Sequence, residues 1–401
     1  MRFNATSFPS GYLACPGKSM RDVSRDQRGL DVDDLIEREA LSDAARKVLF
    51  ARQDRNRLLK DPAWAALNEA ALLKVSAELG WLGLCVPEQY GGLQQPFNAL
   101  ATLYGELGRA LAGPCVMAAA IGLELLSQSA TSPAVSELIE EIIFGQKLAL
   151  SVGNGRMAID VSVHGASLLL NGSVHELLGA GQATHLLIPI AQAQPALALV
   201  SIDHPGISLV ARKSWDLTRA QVFEVSFDQV ELSGDALILQ GPAAKDAMLR
   251  AAAHFDLALA CDAIGGSEQI LGETLAYMHT RTQFGRSIAS FQALKHRCAD
   301  LATDIEVARA LVDASCEGDD ELASWRTQAA SCRLLAGAVY RRVSEESVQL
   351  HGGIGFTWEQ PCHLFLKRAR LNDALGGSAA QRKDQAARHM LAAAWHAKPV
   401  V

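Results

Sequence analysis

Two short segments in the C-terminal part of the chain carry side chains suited to binding a ligand that has both a ring and phosphates. The first segment is RTQFGRSIASFQALKHR, residues 281–297. Arg281 carries a planar guanidinium whose fixed fork of donors matches a pyrophosphate. Phe284 and Phe291 supply flat apolar surface that can lie under a ring. Together these residue types favour recognition of a phosphorylated aromatic group.

The second segment is VQLHGGIGFTWE, residues 348–359, and its features suit the same kind of ligand. The Gln349 amide can bond to an amide or phosphate edge. Gly352 and Gly353 have no side chain, so their backbone can approach a phosphate closely. A glycine pair after a helix is equally explained by an ordinary turn, so the pair alone does not establish a binding site.

Composition excludes several classes of protein. The chain has 401 residues, 49% of them hydrophobic and 20% charged, which suits a globular protein of two or three domains. Its net charge of −7 and its lack of a Lys/Arg run argue against nucleic acid or an anionic membrane as partner. No apolar run is long enough to span a bilayer. The eight cysteines are scattered without a CxxC pair, which predicts reduced thiols in a cytoplasmic protein rather than disulfides or a metal site.

Three stretches with different hydrophobic periodicity must position the two segments. Residues 31–147 repeat apolar side chains at three- and four-residue steps, which predicts an α-helical domain after a polar extension over residues 1–30. Residues 148–240 contain short apolar runs and the alternating stretch QVFEVSFDQV, which predict a β domain. Residues 245–395 return to helical periodicity. The predicted fold class is therefore α+β.

The two segments, together with LGLCVPEQYGG at residues 82–92 and the helix–strand–helix order, resemble the acyl-CoA dehydrogenases, which are FAD enzymes. The resemblance extends from about residue 40 to about residue 395. The stretches WDLTRAQVFEVSFDQVEL and GGIGFTWE are most similar to the bacterial branch that acts on steroid-derived acyl-CoAs. The family fold implies an N-terminal helical domain, a β-barrel-like middle domain and a C-terminal four-helix bundle.

The resemblance also implies a role for the residues of both segments. In the family, the matching positions reach across a subunit interface and hold the AMP and pyrophosphate half of an FAD seated in the neighbouring subunit. The positions that carry over are Arg281, Phe284, Phe291, Gln292, Gln349, Gly352 and Gly353. The implied ligands and partners are FAD, an acyl-CoA, a related dehydrogenase subunit and electron-transfer flavoprotein as the electron acceptor.

The positions that should contact the flavin ring depart from the family pattern. Of the usual Thr-Glu-Pro-type loop, ALSVGNGR retains only the hydroxyl of Ser151. In LNGSVHELLGAG, Glu176 stands where the family has Trp, and Leu178 stands where it has a hydroxyl. A carboxylate where a ring should stack predicts that this subunit does not bind its own flavin in the usual way.

The family's catalytic carboxylate is also missing. The reaction removes a proton beside the thioester, which requires a positioned base. Alignment on Gln381 and Arg382 places Leu375 at the usual position, and an alternative site used by some relatives falls on Phe255. Nearby acids that remain as weaker candidates are Asp256, Asp262 and Asp373.

This asymmetry suggests that the chain completes an enzyme rather than forming one alone. The preferred interpretation is the non-catalytic subunit of an α2β2 FAD-dependent acyl-CoA dehydrogenase for a bulky, steroid-derived acyl-CoA. A self-sufficient homo-oligomer that uses Asp256 or Asp262 as base is the first alternative. A flavin-free scaffold is the second, although a scaffold has no need of a pyrophosphate-binding arginine.

Overall fold

The computed structural model of the protein describes residues 32–61, 64–129, 132–164, 167–192, 194–219, 221–318, 321–377 and 379–396. The predicted extension over residues 1–30 lies outside these ranges. The α+β fold is confirmed: helices come first, strands follow, and helices return. The domain limits drawn from the sequence remain predictions. Across the described ranges, no helix combines the length and apolar character needed to cross a bilayer.

The N-terminal helices end where the sequence supplies stop signals. They are α1 (Val32–Arg52), α2 (Arg55–Lys60), α3 (Trp64–Glu78), α4 (Phe97–Ala110), α5 (Cys115–Ser129) and α6 (Pro133–Ile143). After α3 the chain forms a tight turn that ends at Gly91 with φ of 81°, a backbone conformation that glycine adopts without strain. At the start of α6, Ser132 accepts a hydrogen bond from the Val135 amide, and Pro133 occupies the first turn.

The strands form two four-stranded sheets, with orders β1-β4-β5-β8 and β2-β3-β7-β6. They are β1 (Ala149–Ser151), β2 (Arg156–His164), β3 (Ser167–Leu177), β4 (His185–Ile190), β5 (Ala196–Ser201), β6 (Ile207–Lys213), β7 (Gln221–Leu232) and β8 (Leu237–Gln240). The alternation predicted for β7 is confirmed: Phe223, Val225 and Phe227 are buried. Their burial against the other sheet produces a separate apolar core.

The C-terminal part consists of five helices within the described residues, and a short hairpin connects the first two. The helices are α7 (Gly241–Thr280), α8 (Gln292–Cys316), α9 (Leu322–His351), α10 (His363–Ala374) and α11 (Ala379–His396), and the hairpin strands are β9 (Thr282–Gln283) and β10 (Arg286–Ser287). The apolar stripe of α8, from Cys298 to Val312, is buried. The cysteines among the described residues are all free.

Candidate functional site

The two segments singled out in the sequence meet at one end of the C-terminal helices. The backbone amide of Arg281 bonds to the Tyr277 carbonyl at 2.8 Å, where α7 ends. The Tyr277 ring stacks on His351, the last residue of α9, with centroids 4.5 Å apart. Gly352 follows His351 directly. This stack therefore joins the end of α7, which carries Arg281, to the end of α9, which carries the glycine pair.

We call residues 281–292 and 349–358 the clasp surface, and most of its side chains face solvent, although Leu350 and His351 are buried. Arg281, Gln292 and Gln349 are exposed, and Phe284 is 91% exposed. A Cβ added at Gly352 or Gly353 would meet nothing within 4 Å, so the backbone there is open to a ligand. The predicted residues thus form an accessible surface that could contact a phosphate.

The hairpin of the clasp surface holds an aromatic residue in a strained backbone conformation. Phe284 has φ of 55°, which a bulky side chain rarely adopts. Its ring packs edge-on against Phe291, with centroids 6.2 Å apart, and the Arg286 guanidinium lies 4.1 Å from the centre of the Phe291 ring. Strain of about 1–3 kcal/mol at such a residue often marks a functional site. The conformation keeps Phe284 extended into solvent.

Further exposed apolar side chains lie on the second part of the clasp surface. Phe356 is 75% exposed and Trp358 is 62% exposed. Ile354 is also exposed among these residues. Three large apolar side chains exposed within five residues suit an interaction surface.

The positions that the family resemblance assigns to the flavin ring surround little free space. Ser151, Glu176 and Leu178 line a pocket of only about 20 Å³, together with Phe255. Glu176 has φ of 65°, a left-handed conformation, and its carboxylate lies 3.7 Å from the Arg156 guanidinium. The space and the charge are both unsuited to a neutral aromatic ring system. The residues of this pocket do not fit the ring of FAD.

Leu375, at the position where the family resemblance predicts the base, is buried, and its backbone amide caps the end of α10. Its side chain is 1% exposed, and its carbonyl accepts a 2.5 Å hydrogen bond from Arg333 and a 3.2 Å bond from Arg382. The Arg333 guanidinium also lies 5.2 Å from the centre of the Phe255 ring. Arginine, leucine and phenylalanine therefore occupy the region where relatives place a carboxylate.

The three candidate acids are all paired with arginine. Asp256 accepts a 2.5 Å hydrogen bond from Arg333, and Asp373 accepts one of 2.9 Å from Arg341. Both carboxylates are therefore held in ion pairs with arginine. Asp256 is the more accessible of the two partners in its pair, with 23% of its side chain exposed against 7% for Arg333.

Asp262 belongs to a buried ionic network that sequence reasoning did not identify. Its carboxylate accepts hydrogen bonds from Arg219, Arg368 and the Asn372 amide at 2.8–3.0 Å. Arg368 is fully buried and also donates to Asp216 at 2.8 Å. Burial opposes the charge of Arg368, but the Asp262 and Asp216 carboxylates outweigh it and raise its pKa. This network ties the segment between β6 and β7 to α7 and α10, so Asp262 acts as a structural anion.

One carboxyl oxygen near the closed pocket has no hydrogen-bond partner among the described residues. Glu69, on α3, has its Oε1 atom buried without a partner among the described residues. A Cβ built on Gly179, which follows Leu178, would lie 4.0 Å from that oxygen. Burial raises the pKa of Glu69 to about 7, although the guanidiniums of Arg219 and Arg368 act in the opposite direction. The folded protein therefore binds this proton more tightly than the unfolded chain does.

This pKa shift predicts that Glu69→Gln stabilises the protein at high pH only. The folded pKa lies above the unfolded value, so the favourable contribution is complete below pH 4.5 and lost as pH rises through 7. We expect the variant to exceed the wild type by about 2–3 kcal/mol at pH 8 and by about 1 kcal/mol or less at pH 5. Urea unfolding at both pH values measures the difference.

The exposed Glu78→Gln, at the end of the same helix, is the matched control. It should change stability by less than about 0.5 kcal/mol at either pH. An equal effect of Glu69→Gln at pH 5 and pH 8 would contradict the assigned pKa.

Comparison with known proteins identifies the family to which the chain belongs. Residues 37–143 match the N-terminal domain of acyl-CoA dehydrogenases, and residues 246–391 match the C-terminal domain. The acyl-CoA dehydrogenase IpdE2 of Mycolicibacterium smegmatis is 30% identical over 338 residues, which cover 84% of this chain and 88% of that protein. The chain belongs to the acyl-CoA dehydrogenase family, a family of FAD-binding oxidoreductases that act on acyl-CoA.

Solved structures share the fold at lower sequence identity. A variant of the Tcur3481-Tcur3483 steroid ACAD matches with a TM-score of 0.76 and 22% identity, covering 89% of this chain and 98% of that one. The ChsE4-ChsE5 complex from Mycobacterium tuberculosis matches with a TM-score of 0.76 and 20% identity, covering 88% and 97%. The family and the fold predicted from the sequence are confirmed.

Proposed function

We propose that this chain is the non-catalytic subunit of a heteromeric acyl-CoA dehydrogenase and completes the FAD site of a paralogous partner. The observation that carries the proposal is the asymmetry between its two half-sites. The clasp surface is exposed, whereas the ring pocket is closed to about 20 Å³. A chain that bound its own flavin ring would need an open pocket at that position.

The chemistry of each half-site supports these separate roles for the two subunits. Arg281 and the open backbone at Gly352 and Gly353 can bind phosphate from outside the chain. When bound, FAD supplies the hydride acceptor for the dehydrogenation. The partner would supply the carboxylate that removes the proton, because Leu375 has no basic group.

The proposed substrate is a bulky, steroid-derived acyl-CoA, and the proposed electron acceptor is electron-transfer flavoprotein. The sequence resemblance to the steroid branch supports the substrate class. Two structural relatives point the same way, since one carries the name steroid ACAD and the other is a complex of two differently named chains.

Flavin content of the purified chain tests the proposal. Because Glu176 and Leu178 occupy the ring position, the chain expressed alone should retain little FAD. Co-expression with a paralogue that has an intact base should give a mixed oligomer that retains FAD. Absorbance in the flavin bands, normalised to protein, measures both. Stoichiometric FAD in an oligomer of this chain alone would contradict the heteromer.

The alternative with a base in this chain makes a different prediction for Asp256→Asn. If the chain is non-catalytic, the complete complex should keep its turnover within a few-fold. If Asp256 is the base, the amide should lose on the order of 10²-fold or more with FAD still bound. The measurement is acyl-CoA turnover with an artificial electron acceptor, normalised to flavin.

Asp262→Asn is not an equivalent test of the alternative. Its carboxylate compensates the buried guanidiniums of Arg219 and Arg368. Removing that charge should destabilise the chain whether or not Asp262 has a catalytic role. Asp256 is therefore the informative position, since Arg333 would retain the carbonyl of Leu375 as a partner.

A further inference from the structure

An apolar cavity of about 350 Å³ lies between α4, α5, α7, α9 and the loop that follows α3. Its walls include Trp81, Val86, Phe97, Leu100 and Trp325, and the exposed residues Gln95 and Gln128 lie at its edge. A volume of this order falls within the range of roughly 300–1,000 Å³ that is usual for small-molecule sites. The cavity is distinct from the closed ring pocket, which has a different set of lining residues.

A chain of hydrogen bonds fixes the polar group in this cavity. The Tyr104 hydroxyl lies 2.6 Å from His254 Nε2, and His254 Nδ1 lies 2.6 Å from Glu124 Oε2. Tyr104 and His254 are both buried. One tautomer satisfies both contacts, with Tyr104 donating to Nε2 and Nδ1–H donating to Glu124. This arrangement holds the Glu124 carboxylate in one orientation at the cavity wall.

Two atoms on α5 remain available to a ligand. Within the described residues, no donor reaches Oε1 of Glu124, so this oxygen keeps its capacity to accept. Ser127, three residues further on, also lines the cavity. Its hydroxyl is buried and has no hydrogen-bond partner in the described part of the chain. Residues three apart lie on the same face of a helix, so an acceptor and a donor face the cavity together.

From this pairing we infer that the cavity binds a compact, uncharged ring alcohol. The ligand hydroxyl would donate to Glu124 and accept from Ser127, which satisfies the orphaned serine and uses the free carboxylate oxygen. The apolar walls would cover a ring system of about two fused rings. An ammonium ligand is disfavoured, because Arg250 lines the same cavity and would repel a second cation.

The inference does not depend on FAD or on a partner subunit. His254 lines this cavity, while the next residue of α7, Phe255, lines the closed ring pocket. Binding can therefore be measured on the chain alone, and failure of the proposed function would leave the result intact.

The test uses 2-naphthol as the probe, followed by its fluorescence and by titration calorimetry. The wild-type chain should bind one equivalent. 2-Methoxynaphthalene, which has the same rings but no hydroxyl donor, should bind roughly tenfold more weakly or worse, as should 2-naphthol to Glu124→Gln. Ala120→Phe should abolish binding of both compounds, because Ala120 lines the cavity and the added ring would fill it.

Glu137→Gln, an exposed position on α6, is the matched control and should bind 2-naphthol as the wild type does. Unfolding midpoints establish that each variant is folded, and Ser127→Leu replaces Ala120→Phe if the latter is not. Absence of 2-naphthol binding to the wild type overturns the site. Binding of 2-naphthol to the filled-cavity variant would show that the site lies elsewhere. Equal affinity for 2-methoxynaphthalene would show that the site does not recognise a hydroxyl group.

Discussion

Arg368→Met should destabilise the protein by about 3–5 kcal/mol, because it leaves the buried Asp216 without its arginine and Asp262 with only Arg219. Arg368 has no exposed surface and donates to Asp216, Asp262 and the Thr218 hydroxyl. It also donates to the Leu111 and Ala112 carbonyls at 3.1 and 2.8 Å. Methionine fills similar volume but satisfies none of these acceptors. Urea unfolding monitored by circular dichroism measures the loss.

Arg370→Met is the control on the same helix. Arg370 pairs with Glu345 at 2.5 Å, but the two side chains are 46% and 44% exposed. An exposed ion pair contributes at most about 1 kcal/mol, so this variant should remain near wild-type stability. Similar losses in the two variants would show that the buried network stabilises the protein no more than the exposed ion pair does.

Arg281→Ala should weaken FAD binding to the complete heteromer by about 10- to 150-fold. The estimate follows from the roughly 1.5–3 kcal/mol that a hydrogen bond to a charged group contributes. Arg281 is exposed on the clasp surface, so its loss should leave the fold of this subunit unchanged. Flavin released during dialysis of the complex measures the loss of binding. The unfolding midpoint of the variant shows whether stability has changed as well.

Arg342→Ala provides the matched arginine control. Arg342 pairs with Asp304 between α8 and α9, outside the clasp surface. It should retain FAD as the wild type does. Unchanged flavin retention in Arg281→Ala would make Arg281 a surface cation without a role in the cofactor site.

The two clasp segments were recognisable in the sequence because their chemistry is local. Arg281 and Phe284 are three residues apart, and the glycine pair is contiguous, so their types and spacing can be read without knowledge of the fold. The same holds for the alternation of β7 and the stripe of α8, since burial on one face imposes a period on the sequence. Leu375 was also identified from local alignment alone.

Tertiary structure decided which charged residues are buried. In LKRARLND the sequence does not distinguish Arg368 from Arg370, yet one is fully buried and the other is exposed. The partners of Arg368 lie 106 and 152 residues away at Asp262 and Asp216. No periodicity links positions so far apart, so Asp262 remained a candidate base until its three donors were visible.

The cavity beside α5 also depends on contacts that only the tertiary structure reveals. Glu124 and His254 each interrupt a long apolar helical stretch, which is a signal that a buried polar group needs a partner. The sequence by itself determined the family, the order of helices and strands, and the clasp segments, because these depend on neighbouring residues. Packing decided that His254 meets Glu124 and Tyr104, and that the ring pocket is closed, because those contacts join helices brought together only by folding.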